Sequence, residues 1–281
     1  MKLLRYGPPG QEKPGLLDAE GRLRDLSGVI GDVGGEALLP GSLARLAALD
    51  PSDLPAVSGT PRLGPCVAGV GKFPAVGLNY ADHAKETGGQ APREPIIFTK
   101  MTSSICGPND DTVIPRASVK TDWEVELGVV IGTPGKYIAE ADALAHIAGY
   151  CVVDDVSERE YQLERKGQWV KGKSADSFGP IGPWLVTADE VPDPQTLGLW
   201  CEVDGARRQD GTTANMIFGV AFLVSYISRF MSFQPGDIIA TGTPAGVGLG
   251  MKPPTFLAPG QRVRLGVEGL GEQDHLMVAD D

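Results

Sequence analysis

Histidine is scarce in this chain. His83, His146 and His275 are all there is in 281 residues, so a reaction that needs an imidazole base has few candidates. Cysteine is nearly as rare. Cys66, Cys106, Cys151 and Cys201 lie far apart with no CxxC spacing, which argues against a zinc site or a disulfide framework and reads as separate buried or half-buried thiols. Positive charge is in deficit: 25 Lys and Arg stand against 36 Asp and Glu, a formal net charge of −11. Such a field repels phosphate and disfavours a general nucleic-acid or anionic-membrane partner. A small anionic substrate is still allowed, provided a metal and a few cations reverse the field locally. Long apolar runs are missing too. The longest, 216–233, contains Gly219, Ser225, Ser228 and Arg229 and reads as a buried amphipathic helix, not a membrane span. The opening MKLLRYGPPGQEKPG breaks into Pro and Gly before a signal-peptide core can form, so the cytoplasm is the expected compartment.

What is present is an ordinary globular composition, 42% hydrophobic and 22% charged, long enough for one large domain or a medium domain with a small companion. The chain is organised around 122–132, DWEVELGVVIG. Its β-branched and aromatic content predicts a strand. Side chains alternate along a strand, so Glu124 and Glu126 point the same way. Two ionised acids facing the interior need a compensating cation, and an all-oxygen donor pair suits a hard ion such as Mg²⁺, Mn²⁺ or Ca²⁺. The alternative is a half-buried strand whose two Glu face water.

In chain order, residues 1–65 alternate short strands with turns and carry one helix from Pro40 to Leu49; they read as a small β-rich N-terminal domain, with Pro61–Pro65 as the link. Phe73–Leu78 is a short buried strand, followed by Asn79-Tyr80-Ala81-Asp82-His83-Ala84-Lys85-Glu86. If this segment is helical, His83 and Glu86 share a face, and a carboxylate there can orient an imidazole as a general base requires. The alternative is a surface histidine near a helix start. His146 reads as a packing residue in a helix 139–147, and His275 as a surface residue. Gly88–Pro95 is rich in Gly and Pro and is placed where a lid over the site would be useful. Ile96–Lys100 is a buried strand ending in a cation. The apolar run 147–153 ends in Asp154-Asp155, placed to supply a third oxygen ligand, and Arg159 and Gln162 follow at helical spacing. Lys173 stands between this acid cluster and a rigid Gly-Pro turn. The Thr- and Gly-rich loop 241–248 offers N–H groups that can hold a carboxylate or phosphate, without the Lys-Ser/Thr ending of a Walker loop. The segment 260–278 reads as closing strands.

The segments GLNYADHAKE, PIIFTK, DWEVELGVVIG, GYCVVDDVSEREYQ, GKSADSFGPIGP and PGDIIATGTPAGVG, in this order, resemble the fumarylacetoacetate hydrolase family from about Lys72 to the C-terminus. The resemblance implies an α+β fold in which a mixed β-sheet rolls into a barrel-like catalytic domain, 72–281, usually in a homodimer. It implies Glu124, Glu126 and Asp155 as ligands of Mg²⁺ or Mn²⁺, His83 and Glu86 as a base dyad, Lys173 as a catalytic lysine, and Arg159, Gln162 and Thr243 as substrate contacts. Asp154 stands where the family usually has Asn; the register of the following V-S-x-R-x-x-Q favours Asp155 as the ligand. The implied activity is hydrolysis of a carbon–carbon bond in a 2,4-diketo acid. The N-terminal start and the length look most like bacterial enzymes of sugar-acid breakdown. A 2,4-diketo-3-deoxy acid such as the L-rhamnonate derivative would then give pyruvate and lactate. The family also contains oxaloacetate decarboxylases, isomerases and lyases of 2-keto acids, and a fold does not decide between them. A binding protein without turnover would have lost the dyad or a ligand, and this chain keeps all of them.

Overall fold

The computed structural model describes residues 1–86, 88 and 90–280. Thr87, Gly89, the latter inside the stretch expected to form a lid, and Asp281 lie outside the described residues. The first half of the chain supplies β1 (Lys2–Tyr6), β2 (Lys13–Leu17), β3 (Leu23–Asp25), β4 (Pro74–Gly77), β5 (Ile96–Thr99), β6 (Thr112–Ile114) and β7 (Val125–Ile131). The second supplies β8 (Ile147–Asp154), β9 (Leu185–Thr187), β10 (Gly198–Val203), β11 (Ala206–Thr212), β12 (Ile238–Ala240), β13 (Arg262–Val267) and β14 (Gly271–Ala279). Helices are short: α1 (Pro40–Ala47), α2 (Ala81–Glu86), α3 (Val170–Lys173) and α4 (Val220–Ile227).

A nine-stranded sheet runs β3-β2-β1-β9-β8-β7-β12-β4-β5, and a five-stranded sheet runs β11-β10-β13-β14-β6. Within these two sheets, among the described residues, pairing is antiparallel except where β12 meets β4 and β14 meets β6, so the fold is α+β with mixed sheets. The larger sheet has two ends, and no closed barrel is found among the described residues. β7 and β8 lie in the middle of it with every residue buried, as expected of strands covered on both faces. Val125, Leu127, Val129 and Ile131 point into a core shared with the smaller sheet and α4; Val130 points into a second core, shared with β1, β2 and α1. The alternation along one strand thus feeds two cores.

The N-terminal segment does contain three strands, but they extend the main sheet. β1 pairs with β9, and Leu3, Leu16, Leu26 and Leu38 pack with Val130, Val153 and Leu185. Three local expectations also change. Residues 140–146 form a 3₁₀ turn instead of an α-helix, with His146 Nδ1 2.9 Å from the Thr133 carbonyl oxygen. The helix expected over 216–233 is confined to α4, entered through the extended Gly219. His275 is not on the surface: β14 carries it into the interior, where Nδ1 lies 3.0 Å from Thr112 Oγ1.

Because Leu3 is fully buried between segments 1–65 and 72–280, Leu3→Ala is expected to cost about 2–5 kcal/mol. Calorimetry should still show one unfolding transition. Two separate transitions would mean that the N-terminal segment folds on its own.

Candidate functional site

Three carboxylates meet at one end of β7 and β8. Glu124 directly precedes β7, Glu126 lies within it, and Asp155 directly follows β8. One oxygen from each lies within 4.8 Å of the others, and all three side chains are buried. Strand register explains why it is these three. Val153 lies opposite Glu126 and Asp154 opposite Val125, and partners in an antiparallel pair share a face. Glu126 therefore falls on the Val153 and Val130 side, and Asp154 on the other. There Asp154 Oδ1 accepts from the Glu124 N–H at 3.0 Å and Oδ2 lies 3.1 Å from His275 Nε2. Asp155, one residue on, returns to the acid face and donates its N–H to the Glu124 carbonyl oxygen at 2.9 Å.

Uncompensated carboxylates cannot stay ionised in a dry interior, and the surrounding elements supply cations to them. α3 carries Lys173, whose Nζ donates to Glu124 Oε2 at 2.6 Å and to Asp155 Oδ2 at 2.7 Å. Arg159 donates to Glu124 Oε1 at 2.6 Å, to Asp122 Oδ2 at 2.8 Å and to Gln162 Oε1 at 3.0 Å. Lys100, at the end of β5, donates to Asp155 Oδ1 at 2.6 Å and to the carbonyl oxygen of Lys173. Burial pushes the Glu124 carboxyl up, but Arg159 and Lys173 outweigh it and hold it well below the usual carboxylate range. Glu126 goes the other way: burial and the neighbouring Asp155 and Glu124 push it well above that range, against Lys173 and the Gly242 N–H. Four acids, Asp122, Glu124, Glu126 and Asp155, face three cations, Lys100, Arg159 and Lys173. The residual negative charge and the all-oxygen donor set fit a hard divalent cation held by Glu124, Glu126 and Asp155.

The dyad lies on α2. Asn79 fixes the approach to this helix: its amide donates to the Thr241 and Phe218 carbonyl oxygens, and its Oδ1 accepts from the Phe218 N–H. His83 Nδ1 and Glu86 Oε2 are 3.5 Å apart, a long contact of the kind that tightens when a substrate binds. Burial pushes Glu86 up, but His83 and the Gly246 N–H outweigh it and hold the carboxyl below its ordinary value. The loop after β12 does not keep its N–H groups for a ligand. Gly242 N–H donates to Glu126 at 2.8 Å, Gly246 N–H to Glu86 at 3.0 Å, and Gly248 N–H to Asp122 at 2.7 Å. Gly242 and Gly246 adopt φ of +100° and +106°, open to glycine at no steric cost. A Cβ on Gly250 would stand 2.4 Å from Glu86 Cδ. Thr243 lines the cavity, but its hydroxyl donates to the Val125 carbonyl oxygen and accepts from Gln209.

A cavity of about 290 Å³ is lined by Glu124, Glu126, His83, Arg159, Gln162, Lys173 and Thr243, and Asp155 and Glu86 contact Lys173 and His83 of this lining. The structure thus brings the residues singled out in the sequence to one place. Sequence reasoning missed the partners: Asp122, Lys100 as an ion-pair partner, and the apolar lining residues Phe98 and Trp169. Asp122 stands two residues before Glu124, and that same-face spacing was the available signal.

Residues 72–277 match the family model described as fumarylacetoacetate (FAA) hydrolase C-terminal. A Burkholderia multivorans protein, whose name goes no further than a hydrolase assignment, is 67% identical over 274 residues, 97% of each chain. The solved structure of a fumarylacetoacetate hydrolase from psychrophilic Exiguobacterium antarcticum superposes with a TM-score of 0.88 at 35% identity, covering all of both chains. Maleylpyruvate hydrolase from Sphingobium sp. SYK-6, solved with manganese(II) and pyruvate, gives a TM-score of 0.81 at 27% identity over all of both chains.

Glu126→Gln removes a candidate ligand and also a buried acid squeezed between like charges. Mn²⁺ affinity, measured by calorimetry, should fall by more than the roughly 10–100-fold that changes outside the ligand set cost, while the melting temperature without added metal stays level or rises. Wild-type affinity in the variant would remove Glu126 from the metal site.

Proposed function

Since the chain belongs to the fumarylacetoacetate hydrolase family, we propose that it hydrolyses a carbon–carbon bond of a 2,4-diketo acid to pyruvate and a carboxylic acid, with Mg²⁺ or Mn²⁺ as cofactor. The observation that carries this reading is that His83, paired with Glu86, lines the same cavity as Glu124 and Glu126 of the carboxylate triad. A divalent ion held by Glu124, Glu126 and Asp155 would polarise the carboxylate and 2-keto oxygens of such a substrate. His83 takes a proton from water as the water oxygen bonds to C4, with Glu86 at Nδ1 orienting the ring and stabilising its charged form. The C3–C4 bond then breaks. Its electron pair moves to C3 and into the 2-keto group, giving the enolate of pyruvate, while C4 leaves as the carboxyl of the acid product. The Lys173 ammonium, fixed between Glu124 and Asp155, is the cation of this chain placed to steady the enolate's negative charge. Protonation at C3 completes the reaction. The deoxy sugar acid implied by the N-terminal resemblance is one substrate within this class, and a homodimer in the cytoplasm belongs to the same proposal.

Decarboxylation of oxaloacetate passes through the same enolate and needs no water at C4, so the dyad is what favours hydrolysis. Loss of a general base costs about two to four orders of magnitude. His83→Ala, assayed at saturating Mn²⁺, should lower cleavage of a 2,4-diketo acid by that amount and affect oxaloacetate decarboxylation far less. Equal losses on both substrates, or a wild-type protein that cleaves no diketo acid, would remove the support for a hydrolase.

A further inference from the structure

Besides its charged and polar side chains the cavity is lined by Leu78, Phe98, Leu163, Trp169 and Leu249, with the Phe98 ring centroid 5.1 Å from Lys173 Nζ. Trp169 is seated by construction: a Cβ on Gly77 would fall 2.3 Å from its Cζ3, so the indole lies on the bare backbone of β4, and its ring centroid is 5.4 Å from that of Phe98. Among the described residues lining the cavity, the Lys and Arg side chains are Arg159 and Lys173 alone, and both are paired with the carboxylates. Arg165 and Lys166 on the adjoining turn and Lys171 on α3 do not line it; Arg165 is paired with Glu160, and Lys171 donates to the Arg165 carbonyl oxygen. The Thr243 hydroxyl proton and the Gln162 oxygen are already committed, to Val125 and Arg159.

Resting on the diketo-acid reading, we infer that the acyl group this site takes is uncharged and apolar, a branched aliphatic or phenyl group, and that Phe98, Leu163 and Trp169 select it. With the keto-acid end drawn to the acids and cations, the lining left for the acyl end is mostly hydrocarbon and aromatic. A second carboxylate there would be desolvated without an unpaired cation, and a hydroxylated chain would lose its water without gaining partners, each a loss of roughly ten- to a hundredfold. An apolar group of matching size gains instead from burial against the aromatic pair. This argues for a 4-phenyl or 4-alkyl 2,4-dioxobutanoate over a maleyl-type dianion or a deoxy sugar acid.

The test compares kcat/KM at saturating Mn²⁺ for 2,4-dioxo-4-phenylbutanoate, 2,4-dioxopentanoate, maleylpyruvate and 2,4-diketo-3-deoxy-L-rhamnonate, in the wild type and in two variants. The phenyl substrate should exceed the dianion and the sugar acid by at least about tenfold. Trp169→Ala should lower the phenyl substrate about tenfold or more and 2,4-dioxopentanoate much less. Leu163→Arg, at a position exposed enough to tolerate it, should raise maleylpyruvate relative to the phenyl substrate. Preference for the dianion or the sugar acid, or an equal loss on all substrates in Trp169→Ala, overturns the inference. If no diketo acid is cleaved, the reaction proposed above fails, and the wall is judged by binding alone. Phenylpyruvate should then bind the Mn²⁺-loaded protein at least tenfold more tightly than 2-oxoglutarate by calorimetry, and equal or weaker binding overturns the inference independently of turnover.

Discussion

Keeping four carboxylates ionisable at the centre of a folded protein is the constraint on which the rest of this structure depends. Carboxylates taken out of water without partners would protonate or unfold the chain. Lys173, Arg159 and Lys100 answer that constraint, and each is held by a different element: α3, the turn after β8, and the end of β5. The pairs are reciprocal. Lys173 and Arg159 keep their charges in spite of burial because Asp155, Glu124 and Asp122 face them. Glu126 has no side-chain ion pair of this kind, only the Gly242 N–H and more distant cations. It is the group that most needs a further positive charge.

Much of the site was legible because local periodicity placed it. The i,i+2 spacing of Glu124 and Glu126 and the i,i+3 spacing of His83 and Glu86 follow from strand and helix geometry, and the structure keeps both. Choosing Asp155 over Asp154 needs the register of β8 against β7, which is shifted by an irregularity between Ile147 and Gly149 that no local pattern encodes. His275 was misplaced for a related reason. Its neighbours Asp274 and Leu276 are half-buried, and only long-range pairing of β14 with β13 and β6 shows which face turns inward. The join of β1 to β9 spans most of the chain, and neither partner strand carries a mark of the other. The glycines of 242–250 signalled available N–H groups correctly; that the recipients are the protein's own carboxylates is a tertiary fact.

The site separates its tasks by location. Charged groups come from the ends of β5, β7 and β8, where packing on both sides of the sheet fixes the backbone, and from the end of α3. The apolar wall comes largely from the periphery: Leu163 and Trp169 belong to the exposed segment between Arg159 and α3, and Phe98 to the edge strand β5. A change of wall residue touches few of the ion pairs, which suits a scaffold that serves several keto-acid chemistries.

One loop, 242–249, holds Glu126, Glu86 and Asp122 through its backbone N–H groups. The His83–Glu86 pair, the acid triad and the anchor of Arg159 therefore share a support. Substitutions at these acids or at the loop glycines are not independent steps in sequence space. A shift of the loop that accommodates one change alters the hydrogen bonds of the other two, so effects combine non-additively. A replacement at this face of the molecule is thereby tied to its neighbours' geometry and is tolerated best when they change with it.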